Sequence, residues 1–257
     1  MKEIRLVYKI AWILFLVVIW EIASKTGLVN IYILPPFSSI LNNLWEEIQK
    51  GILPLQVLNS LKIVLLGFSV SILVSLVVSA CCMISRLAES LVITICTVFN
   101  PLPGVALLPV FMLWFGLGNG VLIALIFHGV AWPLIENLLT AFHSVPKVYV
   151  EWAENIECPF FNKLRTVYLY YSVPYFLAGL RIGWGRAWRA LIAGEMVFGM
   201  IGTLGGLGYY IYKARSYGKM ENVFGGIIII IGLLVEEILF KMAEHYTIEK
   251  WGMSVGK

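Results

Sequence analysis

The sequence contains little charge. Asp, Glu, Lys and Arg make up 13% of its 257 residues, hydrophobic residues make up 60%, and the mean hydropathy is +0.87. Soluble domains usually contain about a quarter charged residues, so this composition excludes an ordinary soluble domain and indicates an integral membrane protein. The apolar runs are long and do not alternate with polar residues in ten-residue segments, which favours an all-α membrane protein over a β-barrel.

Signals for several other functions are also missing. The sequence has no glycine-rich loop followed by Lys-Ser/Thr, so we expect no nucleotide hydrolysis by this chain. Basic residues do not cluster with aromatic residues, which argues against nucleic-acid binding. The cysteines lack metal-ligand spacing, so we expect no metal site and four free thiols: Cys81, Cys82, Cys96 and Cys158. No small-residue cleavage site follows the first apolar run, which predicts an uncleaved first span.

The apolar segments predict six transmembrane helices in a single domain, residues 1–257. A span needs about 20 mostly apolar residues, and the predicted spans are approximately 8–24, 58–84, 89–116 (broken), 119–141, 172–199 and 222–243. Six spans put both termini on one side. Positive residues near the termini and after the second and fourth spans predict that this side is the cytoplasm; Lys213, Arg215 and Lys219 count against that rule.

Two connecting features interrupt the spans. After span one, apolar residues at helical spacing predict an interfacial amphipathic helix, with Ser38 or Ser39 as its N-cap. Within span three, several helix-breaking residues predict a broken helix that faces protein, because lipid does not satisfy exposed backbone. This region is a candidate lining of a translocation path, with Pro103, Pro109 and Trp114; a static kink, with Trp114 in packing or at an interface, is the alternative.

Span five contains four charged residues in apolar surroundings. A charge at the centre of a span costs roughly 2.5–3.5 kcal/mol on insertion scales, so these residues need a structural or functional reason. Arg186 and Arg189 share a helix face and are, with Glu195, further candidates for the path, where guanidinium groups could ease the passage of an anion. The alternative is structural: Arg181 reaches the membrane surface, and Arg189 pairs with a carboxylate such as Glu195.

A polar segment, 142–171, lies between spans four and five. Residues 147–157 predict a short helix that starts after Pro146 and stops at Pro159. Such a helix, held between two spans, could pass a push from a partner into the membrane. Glu136, Asn137 and His143 before it are interpreted as solvated, and His128 within span four as structural.

This segment resembles the cytoplasmic-loop signature of binding-protein-dependent ABC importer permeases, Glu-Ala-Ala, then Gly, then Ile-x-Leu-Pro. Glu151, Ala153, Val167 and Leu169 match it. The departures from the signature are Trp152, Glu157 and Tyr170, at its first Ala, Gly and Pro. The flanking stretches "LPPFSSIL", "NPLPGVALLPVFMLWFGLGNG", "VPYFLAGLRIGWGRAWRALIAGEM" and "GGLGYYIYKARS" are similar to the nitrate, sulfonate and taurine branch, so the resemblance covers nearly the whole chain.

The resemblance implies a type I importer permease in a prokaryotic inner (cytoplasmic) membrane. It implies two permease copies, a pair of cytosolic ATPases that carry ATP and Mg²⁺, and an extracytoplasmic solute-binding protein. The short helix would dock in a groove of the ATPase through a coupling set made of Glu151, Trp152, Ala153, Glu154, Ile156 and Glu157. Because glycine commonly closes a helix in the left-handed conformation, Glu157 suggests a different turn here, with Pro159 ending the helix.

We therefore expect a non-enzymatic permease subunit for a small solute, of an anionic class such as a sulfonate, taurine or nitrate. A stand-alone secondary transporter is one alternative, but only Glu195 could serve as its ion-coupling carboxylate and no inverted repeat is visible. A non-transporting membrane assembly subunit is the other alternative, kept open by the altered loop signature.

Overall fold

The computed structural model describes residues 2–199 and 205–234. In these residues the secondary structure is helical, without a strand. The α-helices are α1 (Lys2–Lys25), α2 (Phe37–Gln49), α3 (Ile52–Ile84), α4 (Arg86–Phe99), α5 (Leu108–Phe115), α6 (Asn119–His143), α7 (Lys147–Asn155), α8 (Phe160–Lys163), α9 (Tyr170–Phe198), α10 (Leu207–Ser216) and α11 (Met220–Leu234). A 3-10 turn (Gly104–Leu107) precedes α5, and a π-helical segment (Leu164–Leu169) joins α8 to α9.

The all-α membrane class is confirmed. Within the described ranges, three helices are long and apolar enough to cross a membrane: Val7–Lys25, Ile52–Ile84 and Asn119–His143. A fourth candidate is the pair Arg86–Phe99 and Gly104–Phe115, which bends by 98° at a short break. The predicted break in span three is therefore present, whereas six spans remain a prediction. Part of predicted span six and the lysines after it lie outside the described residues.

The described residues form two compact units, one from Met1–Ser60 with Glu195–Gly232 and one centred on Leu61–Gly194. In the first unit, α1 holds the loop that leads into α2. Trp20 Nε1 donates to Pro35 O at 3.0 Å, and Ser24 Oγ donates to Leu34 O at 2.8 Å. These bonds satisfy loop carbonyls that have no helical partner.

The predicted N-cap of α2 is wrong. Pro36 is the N-cap residue and makes no side-chain capping bond. Ser38 instead uses its backbone N–H and its hydroxyl to bind Glu21 of α1, at 3.1 and 2.6 Å, and Ser39 donates to Glu221. Both serines therefore tie α2 to its neighbours in this unit.

The second unit is built around α6, whose apolar side chains are buried along most of its length. Glycines on the neighbouring helices allow close approach. A Cβ at Gly67 of α3 would lie 2.9 Å from Ile126, and one at Gly183 of α9 would lie 3.0 Å from Val130. Ser75 Oγ donates to Ala131 O at 3.3 Å. Small residues at helix contacts are typical of membrane packing, where dispersion rather than hydrophobic burial holds helices together.

Candidate functional site

The short helix α7 begins after Pro146 and ends two residues earlier than predicted, at Asn155. Glu157 adopts a φ of 51°, in the left-handed region. Cys158 N–H donates to Ala153 O and Glu157 N–H donates to Glu154 O, both at 2.9 Å. This pair of bonds is a Schellman motif, the usual glycine-closed helix end. The expectation that Pro159 stops the helix is thus wrong: the chain keeps the glycine-type turn with a glutamate in it.

One face of α7 is apolar and exposed. Val148, Tyr149, Trp152 and Ile156 are between 55% and 70% exposed, and their spacing places them on one stripe of the helix. Ala153, one turn after Tyr149, is buried and anchors the helix to its own unit. Glu151 is exposed and lies beside the stripe at this spacing. A helix of only nine residues is marginally stable on its own. Because its apolar stripe is exposed, the stripe is available to a partner.

The segment that follows α7 in the chain contacts this helix. Lys163 Nζ of α8 pairs with Glu154 Oε1 at 2.5 Å. Tyr149 and Trp152 line one side of a cavity of about 420 Å³, whose other side is Val167, Tyr170 and Tyr171. The matched positions Val167 and Leu169 fall in the π-helical segment, a helix form that is frequent at functional sites.

The broken span places the proline candidates at the helix break and on α5. Pro103 is the N-cap residue of the 3-10 turn, and Pro109 lies in the first turn of α5, where a missing N–H costs nothing. Phe111 is buried and Trp114 is exposed on the surface of this chain. The structure thus gives the break and its geometry, and a role for Pro103, Pro109 and Trp114 in a path remains a prediction.

A polar network lies at the break. Arg186 Nη1 donates to Asn100 Oδ1 at 2.7 Å, and Asn100 Nδ2 donates to Glu136 Oε2 at 2.8 Å. Asn100 is the C-cap residue of α4, so the amide joins α6 and α9 where α4 ends. Reasoning from sequence missed this network and took Glu136 as solvated, because the three residues are far apart in the chain.

Glu195 is 2% exposed and belongs to the first unit. Its carboxylate accepts from Ser60 Oγ at 2.7 Å and from Gly208 N–H at 2.7 Å, at the N-terminus of α10. Arg189, by contrast, is exposed, and its Nε donates to Gly185 O at 3.0 Å. The suggested pairing of Arg189 with Glu195 is therefore replaced by two separate arrangements.

The four cysteines are free thiols, as predicted. Among the residues that the structure describes, no three His, Cys, Asp or Glu side chains are grouped as metal ligands would be.

These features define a polytopic helical membrane protein with a short helix, α7, set between two long helices and presenting an apolar face. The chain belongs to the family of binding-protein-dependent transport system inner membrane components, whose model matches residues 71–243.

The chain matches several curated relatives over most of their length and most of its own. The chain is 32% identical over 248 residues to a candidate ABC transporter permease protein of Methanocaldococcus jannaschii, covering 94% of this chain and 91% of the relative. It is 27% identical over 226 residues to a candidate aliphatic sulfonates transport permease protein of Bacillus subtilis, covering 87% and 80%. It is 27% identical over 228 residues to the taurine transport system permease protein of Escherichia coli, covering 86% and 82%.

The chain is therefore a membrane-embedded permease subunit of an ABC importer. This membership favours the permease over the stand-alone secondary transporter and over the assembly subunit. Components of this family work within a transport system that depends on a binding protein.

Proposed function

We propose that α7 is the joint through which a cytosolic ATPase drives this permease, and that the permease carries a small anion. The observation that carries the proposal is the exposed stripe of Val148, Tyr149, Trp152 and Ile156 on a polar segment. Charged residues border the stripe and keep the segment out of the apolar membrane core: Lys147, Glu151, Glu154 and Glu157. A protein groove that takes the apolar residues and leaves Glu151 at its rim fits both observations.

The resulting mechanism needs no chemical step in this chain. ATP and Mg²⁺ are held by the partner ATPase, and closure of two such subunits pushes on α7. The second unit receives this push on α7, because a three-residue link joins α7 to α6. Transport then follows from alternation between two helix packings. In this proposal two copies of the chain enclose the path, both termini are cytoplasmic, and the sixth span completes the single membrane domain.

The anionic class of the solute is supported by charge and by relatives. Arg189 is exposed on α9 and makes no ion pair within the described part of the chain. Arg186 lies one turn away, and its guanidinium donates to the amide oxygen of Asn100. Two relatives are named for solutes that carry a sulfonate group, aliphatic sulfonates and taurine. Guanidinium groups suit such oxyanions because they offer two parallel donors.

The proposal is tested by purifying the tagged chain from its own host and asking whether an ATPase subunit comes with it. Vesicles containing the purified complex are then assayed for ATP-driven uptake of labelled sulfonates, with the cognate binding protein added. We expect uptake that needs ATP, and we expect Glu151→Arg to release the ATPase or abolish uptake. The matched control is Glu46→Arg, which makes the same change at an exposed position of α2.

An intact complex with full uptake in Glu151→Arg would contradict the role of α7. Uptake that persists without ATP would contradict the ATP-driven mechanism itself. Uptake of uncharged solutes in preference to oxyanions would overturn the assigned solute class and leave the role of α7 in place.

A further inference from the structure

The N-terminal end of α4 is tied to the last residue of α6. His143 Nε2 lies 2.7 Å from Glu89 Oε1. Glu89 is in the first turn of α4, and His143 is four residues before the start of α7. Histidine can donate from Nε2 in its neutral and its charged form, so the tie does not require a protonated imidazole.

The other end of α4 is tied to the same helix. Asn100, the C-cap residue, donates to Glu136 of α6 and accepts from Arg186 of α9. Between the two ties, Cys96 of α4 packs in one apolar cluster with Ile135, Leu139 and Phe142 of α6. The 14 residues of α4 are therefore fastened to the C-terminal half of α6 at both ends and along the middle.

We propose that Glu89, His143 and Asn100 are positioning residues that make α4 move with α6 and α7, so that a push on α7 reaches the helix break and Arg186. This inference rests on the proposed function, because it assumes that α7 receives the push. An exposed ion pair contributes little to stability, and the role proposed here is to fix the register of α4 on α6. Asn100 is the point where that register meets the guanidinium of Arg186.

The alternative is that these contacts merely stabilise the fold. Two properties separate the alternatives: the number of solute molecules moved per ATP hydrolysed, and rescue by an exchanged charge pair. Loss of folding lowers the amount of complex without changing that ratio. Loss of register leaves ATP hydrolysis running while the solute is moved less often.

The experiment uses the complex of permease, ATPase and binding protein in vesicles, and measures ATP hydrolysis and solute uptake on the same sample. We expect Glu89→Ala and His143→Ala each to lower uptake per ATP by about fivefold or more, the range of typical coupling between sites. The double variant should lose no more than either single variant, because both remove one contact. The charge exchange Glu89→Lys with His143→Glu should restore uptake per ATP.

Three further variants complete the series: Asn100→Asp, Asn100→Ala and Arg86→Ala. Asn100→Asp keeps an acceptor for Arg186 and loses the donor to Glu136, so it should uncouple as Asn100→Ala does. Arg86→Ala is the matched control: Arg86 is exposed in the same turn of α4, and its uptake per ATP should equal that of the native chain.

A distance measurement on a chain that keeps Glu89, His143 and Asn100 tests the inference even if the variants fail to fold. Cysteines for spin labelling are introduced at Ser90 of α4 and Thr140 of α6, both exposed. The two accessible native thiols, Cys81 and Cys158, are changed to Ser. We expect the distance between the labels to be the same in nucleotide-free and ATP-bound complexes. A distance that changes with nucleotide, or unchanged uptake per ATP in the Glu89, His143 and Asn100 variants, would overturn the inference. Native complexes that show no ATP-driven uptake would overturn the proposed function instead, and with it the premise of this inference.

Discussion

The hydroxyl of Ser60 donates to the carboxylate of Glu195 at 2.7 Å and accepts from Leu207 N–H at 2.8 Å. One serine therefore satisfies both a buried carboxylate and a free amide at the start of α10. Gly208 N–H donates to the other carboxylate oxygen at 2.7 Å. Free N–H groups at a helix start attract negative charge, which accounts for a glutamate at this depth of the protein.

Removing the Ser60 hydroxyl should destabilise the protein. In Ser60→Ala the carboxylate loses a donor and Leu207 N–H loses its acceptor, and a buried polar group left unpaired costs about 1–3 kcal/mol. The unfolding midpoint measured in lipid nanodiscs should therefore fall. Ser216→Ala is the control, because Ser216 is exposed on α10 and donates only to Tyr212 O of its own helix. Equal midpoints for the two variants would contradict the assignment.

Gly206 is required by the same arrangement. A Cβ at this position would overlap the Glu195 carboxylate and Ser60 Oγ, so Gly206→Ala should cost about 1–3 kcal/mol through overpacking. In contrast, a Cβ at Gly185, inside α9, would meet nothing within 4 Å. Gly185→Ala should therefore raise the unfolding midpoint, because alanine favours a helix interior. Opposite signs for these two glycine variants are the expected result, and the same sign for both would count against this packing.

The left-handed Glu157 predicts an unusual stabilising substitution. A side chain in that conformation costs about 1–2 kcal/mol, while a glycine there loses about 0.5–1 kcal/mol of unfolded-state entropy. Glu157→Gly should therefore stabilise the end of α7 by a fraction of a kcal/mol to about 1 kcal/mol. Hydrogen exchange at the Glu157 and Cys158 amides, which close the helix, should become slower.

Glu157→Ala serves as the control for that change. It removes the charge and keeps the strained backbone, so exchange at the two amides should stay as fast as in the native chain. If alanine slows exchange as much as glycine does, charge rather than backbone conformation limits this turn.

Tyr210 of α10 predicts a specific loss of stability at alkaline pH. Burial raises the pKa of its hydroxyl from 10.0 to about 12, although the Asn222 amide that donates to it at 2.7 Å acts in the opposite direction. The folded state thus favours the neutral phenol, and its contribution is complete below pH 10 and lost as the pH rises towards 12. Unfolding midpoints measured across this window should fall less steeply in Tyr210→Phe than in the native chain. Tyr212→Phe, at an exposed tyrosine of the same helix, should keep the native slope, and equal slopes for both variants would contradict the prediction.

Local patterns in the sequence were enough to predict some elements. Prolines in an apolar run predicted the break before α5, and α7 was predicted from its own residues to within two positions. The same local reasoning was wrong where tertiary contacts decide. Ser38 binds Glu21 instead of capping α2, because a carboxylate on α1 competes for its hydroxyl.

The polar networks were beyond prediction because their members are distant in sequence. Asn100 and Arg186 are 86 residues apart, and Ser60 and Glu195 are 135 apart. No periodicity in one segment reports such a pair. The left-handed Glu157 was missed for a different reason: glycine is the usual residue there, and only the backbone shows that the turn persists without it.

The most direct test of the central claim is the affinity of the purified permease for its ATPase subunit, measured for the native chain and for Trp152→Ala. A central aromatic residue of an interface contributes at least about 2 kcal/mol, which corresponds to roughly a 30-fold weaker Kd. Trp45→Ala is the control, because Trp45 of α2 is 62% exposed and Trp152 is 61% exposed. The account predicts this loss for Trp152→Ala and none for Trp45→Ala; an unchanged Kd in Trp152→Ala would contradict it.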